Sequence, residues 1–338
     1  MKQEYFESNK QVATPVFTAS NRPSYRHYFK GEKSAQWHAE TAANGNDSIS
    51  HRAIDTVLAG KKAAKNKRLT KAQLTGLSER LSDCDRAVLT ALKKYRFLTS
   101  DQIGRLFVTN SRTKTSQTRQ RNLLLQRLGG HGLIRPLSRR VGGFGGGSSV
   151  QVWHLSEAGH RLLCLNDPDG SSRKRFMEPS TLFLNHTLAI AECAVQLISL
   201  CKNSTELALE AVDTEPSCWR SFRANGHICH LKPDLFAITS YDGYEDRWFI
   251  EMDLGSVSTA QIVEKCNTYL RYYHTGIEQM ETEMFPLVVW IVRDVSRKNR
   301  LRECIREGLS PHPKMFLVIE PNELEKMLRQ YIDAKELL

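Results

Sequence analysis

Hydrophobic positions divide the chain into segments with helical spacing and segments with strand spacing. Residues 1–70 are polar and end in a Lys/Arg cluster without sustained periodicity, which predicts a disordered basic tail. Residues 71–165 carry apolar positions at helical spacing, followed by two short apolar strands. The polar stretch 166–180 predicts a linker. Residues 181–338 then alternate between strand and helix patterns, which is typical of an α/β domain with a mixed sheet flanked by helices.

The order of helix caps, turns and strands in residues 71–165 predicts a winged helix-turn-helix domain. Two short helices, capped at Ser82 or Asp83 and at Thr99 or Ser100, precede a longer helix over 116–129. Two strands then flank a glycine-rich tip, as in a wing. This order predicts that the third helix enters the major groove of DNA while the wing approaches the phosphates. Winged helices also serve as protein-docking modules, so that alternative stays open.

Basic and amide side chains are concentrated on the third helix, on the turn before it and on the wing. Arg and Gln side chains hydrogen-bond base edges, and Arg and Lys neutralise phosphates. The candidate DNA-binding residues are Arg112, Lys114, Gln117, Arg119, Gln120, Arg121, Arg135, Arg139 and Arg140.

Charge and composition favour a polyanionic partner. The chain of 338 residues has a formal net charge of +11, which predicts double-stranded DNA as the partner. No apolar run approaches the length of a membrane span and the N-terminus lacks a signal-peptide pattern, so we expect no membrane association and a cytoplasmic location. The eight cysteines form no CxxC pair, which fits reduced thiols.

Acidic residues converge on a predicted β-hairpin in the second domain. Two apolar runs flank an Asp-Gly turn at 242–243, which predicts antiparallel strands. Asp234 lies near the start of the first strand, while Glu251 and Asp253 lie two residues apart near the end of the second. Strand alternation places Glu251 and Asp253 on one face. Because neighbouring carboxylates repel and their burial costs solvation energy, we expect a cation or a catalytic role there.

The order of elements, with Pro-Asp at 233–234 and Glu-Met-Asp at 251–253, resembles the restriction-endonuclease-like fold of the PD-(D/E)xK nucleases. The resemblance implies that Asp234 and Glu251 bind Mg²⁺, which would polarise a phosphate and activate water. Asp253 stands where that family has a lysine, and Lys265 on the next helix is the candidate replacement. The implied catalytic set is therefore Asp234, Glu251, Asp253 and Lys265. A degenerate nuclease fold, kept for DNA binding or assembly, is the alternative.

Upstream glutamates supply a further acid in some of these nucleases. Glu210 and Glu215 are the candidates for that role in this chain. His186, at the start of a predicted helix, is a capping or packing residue or a neighbour of the acidic cluster.

Residues 80–335 also resemble the replication-relaxation family of mobile-element proteins, through the segments 232–234 and 251–255 and the tyrosines at 269, 272 and 273. The resemblance implies a site-specific DNA-binding protein of a plasmid or conjugative element, acting in replication, relaxation or transfer initiation, with metal-dependent nicking as its candidate activity. The alternative is a non-catalytic replication initiator or transcriptional regulator whose second domain serves dimerisation or assembly. The implied partners are double-stranded DNA, a second copy of the chain, and replication or relaxosome proteins.

Two other chemistries compete for the same region. A tyrosine on the helix over 258–273 is a candidate nucleophile for a covalent DNA link, although core packing explains Tyr269 and Tyr273 on one helix face more simply. A zinc site is suggested by residue types alone, since the spacing matches no standard zinc motif. Its candidate ligands are Cys218, His227, Cys229 and His230.

Overall fold

The computed structural model describes residues 68–109, 111–138, 150–165, 176–224, 226–241, 243–309 and 313–329. The predicted basic tail up to residue 67, most of the predicted linker and the glycine-rich tip lie outside these residues. The candidate DNA-binding residues Arg139 and Arg140 therefore lie outside the described part of the chain.

Helices and a short three-stranded sheet make up the N-terminal half. Their order is α1 (Lys71–Arg80), α2 (Asp83–Tyr95), β1 (Leu98–Thr99), α3 (Ser100–Phe107), α4 (Lys114–Gly130), β2 (Ile134–Pro136), β3 (Val152–Leu155) and α5 (Glu157–Leu163). The strand β3 lies between β1 and β2 and is antiparallel to both. Ser82 caps α2 and Thr99 caps α3, because each side chain accepts a hydrogen bond from the third backbone N–H of its helix.

A five-stranded mixed sheet with helices on both faces makes up the C-terminal half. Its elements are α6 (Thr181–Lys202), β4 (Leu207–Thr214), β5 (Arg220–Ala224), β6 (His227–Leu231), β7 (Leu235–Tyr241), β8 (Tyr244–Asp253), α7 (Thr259–Tyr273), α8 (Ile277–Thr282), β9 (Leu287–Val292), α9 (Val295–Gly308), β10 (Phe316–Ile319) and α10 (Leu324–Arg329). The sheet order is β10-β9-β8-β7-β4, and the pairs β8–β9 and β9–β10 are parallel while the others are antiparallel. The predicted α/β class and the predicted hairpin of β7 and β8 are confirmed.

Within the described residues, strands β5 and β6 pair with each other and not with the main sheet. This antiparallel pair is called the β-ribbon below. Its buried residue Phe222 packs against Tyr272 on α7, with the ring centroids 5.2 Å apart.

The core lies on both faces of the sheet. On one face α6 and α10 cover Ala237, Ile250 and Val289. On the other face α7 and α9 cover Phe249 and Val288. Strand β9 is buried on both faces, as its continuous apolar run predicts.

The N-terminal half shares the first of these hydrophobic clusters. The cluster continues from α6 into helices α2 and α4, where it includes Leu89 and Leu124. The described residues all belong to one compact unit. Between the halves, Glu192 on α6 accepts a hydrogen bond from Gln102 (3.1 Å) and pairs with Arg105 (2.5 Å).

Helix α6 is long and apolar enough to cross a membrane by length and composition. The expectation that no apolar run approaches such a length was therefore wrong for this segment. More than half of its apolar stretch is buried within the protein, as in the core helix of a globular fold.

Candidate functional site

Glu251 lies at the centre of a buried polar cluster near the end of β8. Its side chain is only 1% exposed. Lys265 donates to Oε2 of Glu251 at 2.6 Å, and the Tyr269 hydroxyl donates to Oε1 at 2.6 Å. Lys265 and Tyr269 are four residues apart on α7, so they present both donors from one helix face. Lys265 and the Tyr269 hydroxyl thus provide a hydrogen-bond donor for each oxygen of the Glu251 carboxylate.

Asp234 joins the cluster from the segment just before β7. The antiparallel pairing of Leu235 with Ile250 brings Asp234 beside the end of β8. Its Oδ2 accepts a hydrogen bond from the backbone N–H of Met252 at 2.8 Å, and its Oδ1 lies 3.2 Å from Nε2 of His186 on α6. The structure therefore brings together three of the four predicted catalytic residues, and it adds His186 and Tyr269. We call these five side chains, Asp234, Glu251, Lys265, His186 and Tyr269, the acid–lysine cluster.

Burial and neighbouring charges shift the pKa values of the acids in the cluster in opposite directions. Burial raises the pKa of Glu251 to about 8, since the charge of Lys265 offsets only part of the desolvation cost. Burial alone would also raise the pKa of Asp234, but the hydrogen bond from His186 and the charge of Lys265 hold that pKa below its ordinary value. The hydrogen bond to Asp234 raises the pKa of His186 against the effect of burial.

Asp253 does not join the acid–lysine cluster. It lies on the same face of β8 as Glu251, as strand alternation predicts. However, its Oδ2 pairs with Arg297 on α9 at 2.6 Å, and its Oδ1 accepts the backbone N–H of Gly255 at 2.8 Å. The Arg297 guanidinium therefore neutralises the carboxylate that stands in the place of the nuclease lysine.

The two other acids considered for the site also lie elsewhere. Glu210 is exposed on β4 and accepts a hydrogen bond from Ser240 at 2.9 Å. Glu215 pairs with Arg96 at 3.2 Å, at the contact between the two halves.

The acid–lysine cluster does not fit a preformed magnesium site. Each oxygen of Asp234 and Glu251 already faces a protein donor, whereas Mg²⁺ requires several oxygen ligands in octahedral geometry. Among the described residues, no group of three or more His, Cys, Asp or Glu side chains is arranged to hold a metal ion. The same finding removes geometric support from the zinc alternative. The thiol of Cys218 donates to the carbonyl of Pro233, and His230 hydrogen-bonds Ser221 across the β-ribbon.

For Tyr269 and Tyr272, the tyrosine alternative also lacks support from the geometry. Tyr269 and Tyr272 are 0% and 2% exposed, and their hydroxyls donate to Glu251 and Glu278. Tyr272, and not Tyr273, shares the buried face of α7 with Tyr269. Both hydroxyls are thus part of the core and lack access to DNA.

Helix α4 is buried along one side and exposed along the other. Leu124, Leu125 and Leu128 are buried, which orients the opposite side of the helix outward. The exposed candidates are Arg112, Lys114, Arg119 and Gln120 on and before α4, and Arg135 on β2. Together they form what we call the α4 surface.

Two predicted DNA-binding residues point partly inward. Gln117 is half-buried and donates to the backbone carbonyl of Val108 at 3.1 Å. Arg121 is half-buried against Gly104 of α3 and hydrogen-bonds the side chain of Asn122 at 3.3 Å. Their first role in this structure is to fix α4 against its neighbours.

The fold and the cluster define a mixed α/β protein in which buried acids are paired with a lysine from the following helix. A family model described as replication-relaxation matches residues 89–288, which is more than half of the 338 residues. The chain belongs to the replication-relaxation family, and this membership supports a role in the replication or relaxation of plasmid or other mobile-element DNA. No curated protein and no solved structure matches the chain.

Proposed function

We propose that this protein binds double-stranded DNA of a plasmid or other mobile element through a winged helix-turn-helix, during replication or relaxation of that DNA. The α4 surface carries the proposal. Its exposed Arg, Lys and Gln side chains lie on and beside a helix that is fixed in the core by its buried leucines. Such side chains can neutralise phosphates and hydrogen-bond base edges in the major groove. The proposed substrate implies a cytoplasmic location.

The arrangement of elements around α4 supports the winged-helix assignment. Helices α2, α3 and α4 are followed by β2 and β3, which pair antiparallel and are separated in sequence by the glycine-rich segment. In this order α4 takes the place of the recognition helix, and Arg135 on β2 lies at the base of the wing. The net charge of +11 over the whole chain favours a DNA partner over a protein partner.

The test is a salt titration of DNA binding by a variant of the α4 surface. Replacing Lys114 and Arg119 by Ala should weaken binding to a mixed-sequence duplex by at least about tenfold, because charge-assisted contacts to phosphate are lost. The slope of log affinity against log salt should fall by about two. Fluorescence anisotropy over a range of salt concentrations measures both quantities.

The control removes the same charges from another surface. Arg300 on α9 and Lys314 before β10 are exposed, so the double variant Arg300→Ala with Lys314→Ala has the same net charge as the test variant. If both double variants bind equally well, DNA does not contact the α4 surface.

A second candidate function is cleavage of a DNA strand at the acid–lysine cluster. The observation in its favour is the meeting of Asp234, Glu251 and Lys265, which is the residue set of a PD-(D/E)xK nuclease with its lysine moved to the next helix. No step through a metal is assigned, because the carboxylates are held by protein donors. The lysine would balance negative charge that develops on a phosphate.

A nicking assay tests this candidate. Supercoiled plasmid incubated with the protein, with or without added Mg²⁺ or Mn²⁺, should be converted to the open circular form. Asp234→Ala and Glu251→Ala should each lower the rate about 100-fold or more, while Glu210→Ala should not, since Glu210 is an exposed acid outside the cluster. Equal cleavage by the wild type and both cluster variants would identify a contaminating nuclease and exclude this activity.

A further inference from the structure

The β-ribbon presents one face to its own protein and one face outward. Register pairs Ser221 with His230 and Arg223 with Ile228, and the alternation continues to Trp219 and Lys232 at the ribbon's base. These six outward side chains are all exposed, including Trp219 (38%) and Ile228 (65%). Neither the α4 surface nor the acid–lysine cluster includes any of them.

The inward face fixes the ribbon in place. Phe222 packs against Tyr272, and Arg220 pairs with Glu278 at 2.7 Å. The thiol of Cys218 donates to the backbone carbonyl of Pro233 at 3.1 Å, which joins the ribbon's base to the residue before Asp234. The ribbon is therefore held in place on the protein, with its base next to Asp234 of the acid–lysine cluster.

The outward face has the chemistry of a polyanion-binding surface. Between Cys218 and Lys232 the sequence contains no acidic residue. Arg223 and Lys232 supply positive charge, and Ser221 and His230 supply polar groups and hydrogen-bond each other at 3.0 Å. Lys232 also lies over the ring of Trp219, with its Nζ 4.6 Å from the ring centroid, which keeps the ammonium ordered at the ribbon's base.

We propose that this outward face is a second DNA-contacting surface, which binds double-stranded DNA next to the acid–lysine cluster. The major groove of B-DNA admits a two-stranded β-ribbon. The five-residue strands are about 17 Å long, at the usual rise of roughly 3.4 Å per residue. Arg223 and Lys232 contact phosphates, and the apolar side chains of Trp219 and Ile228 face the groove. The proposal rests on the proposed function, since it assumes that the protein binds duplex DNA.

The consequence for function is that one protein molecule contacts DNA through two surfaces, the α4 surface and the outward face of the β-ribbon. The α4 surface belongs to the N-terminal half and the β-ribbon to the C-terminal half, and the two halves share a core. A duplex bound at the ribbon would pass beside Asp234, which follows Lys232 by two residues.

The test is the salt dependence of duplex binding by the full chain with Arg223→Ala and Lys232→Ala combined. Binding to the mixed-sequence duplex should weaken, and the slope of log affinity against log salt should fall by about two. The Arg300→Ala and Lys314→Ala double variant is the charge-matched control and should behave as wild type. The single variant Arg223→Gln leaves the Lys232–Trp219 contact intact and should lower the slope by about one.

Lysine acetylation read by mass spectrometry provides a second measurement on the wild-type protein. The duplex should protect Lys232 as well as Lys114 from the reagent, and it should leave Lys314 reactive. If the α4 variant loses affinity but the ribbon variant matches its control and Lys232 stays reactive, the ribbon proposal is wrong and the proposed function stands. If the wild type shows no salt-dependent binding to the duplex, the proposed function itself fails.

Discussion

At Glu251 the chain buries a carboxylate, and its own side chains offset the cost of removing that carboxylate from water. Burial of an unpaired carboxylate costs several kcal/mol, on the order of the desolvation penalties of buried ions. Lys265 and Tyr269 offset that cost with two hydrogen bonds of 2.6 Å. The cation that the acidic residues led us to expect is therefore the ammonium group of Lys265. A bound ion is not needed to stabilise the buried carboxylate.

His186 should make the stability of the fold depend on pH. Its imidazole faces Asp234 and Glu251, which raise its pKa, and Lys265, which lowers it. Because the folded-state pKa of His186 lies above the unfolded value of about 6.5, the stabilisation that its charge provides is complete below about pH 6.5. This stabilisation is lost as the pH rises through the folded-state pKa. His186→Gln should therefore lower the free energy of unfolding at about pH 6, by less than about 1 kcal/mol because the side chain is partly exposed, and have a smaller effect at about pH 9.

Urea unfolding of both proteins at the two pH values measures this difference. His227→Gln serves as the control, because His227 is exposed at the turn of the β-ribbon. An equal loss of stability at both pH values would mean that packing, and not the charge on His186, accounts for the residue's contribution.

The sequence could predict acidic residues of the site better than their partners. Asp234 and Glu251 follow from strand alternation and a short motif, which are local properties of the chain. The partner of Asp253 is Arg297, which is 44 residues away on α9. No local pattern selects that arginine, because the pairing depends on how α9 crosses the end of the sheet. Because Lys265 and Tyr269 are four residues apart on one helix, placing either of them near Glu251 predicts that the other is near it too.

At the scale of elements, local signals were sufficient for most helices and for the hairpin. Ser82, Thr99 and Ser258 each cap a helix through a capping box, which is a short-range feature of sequence. The continuous apolar run of β9 indicates burial on both faces. Periodicity and caps depend on neighbouring residues only, so they are accessible without the fold.

Elements that depend on distant contacts were harder to predict. The β-ribbon has a weak apolar pattern, because only one face packs on the protein and that packing includes the Arg220–Glu278 pair. Gly159 in α5 is a further example. A Cβ at this position would lie 2.2 Å from the carbonyl oxygen of Leu133, so only glycine permits α5 to cross so close to β2. This requirement follows from the fold and not from local spacing.

At the scale of the whole molecule, the polar segment at 166–180 predicts a linker, and the helices on either side of it contribute to one hydrophobic cluster. Composition indicates where a chain can leave a domain, but it does not indicate whether the parts on either side share a core. Here the buried leucines of α2 and α4 continue into the cluster below α6. Polar contacts reinforce this packing, since Thr214 on β4 donates to the backbone carbonyl of Lys94 at 3.2 Å.

The shared core predicts that the two halves unfold together. Differential scanning calorimetry of the wild type should show one transition for the described part of the chain, because neither half can expose its side of the core alone. Glu192→Gln removes the charge that pairs with Arg105 between the halves while keeping the side-chain shape. We expect a loss of about 1 kcal/mol, which corresponds to a fall in Tm of roughly 2–4 °C for a protein of this size.

The matched control is Glu264→Gln, which breaks an exposed ion pair with Arg271 within α7. Because that pair lies within one element and its side chains are 66% and 49% exposed, its loss should change the stability by less than about 0.5 kcal/mol. The transition of Glu192→Gln should move to lower temperature and remain single, since the apolar core between the halves is unchanged. Two separate transitions in the wild type would show that the halves are independent domains. In that case the α4 surface and the acid–lysine cluster would not be held at a fixed separation on DNA.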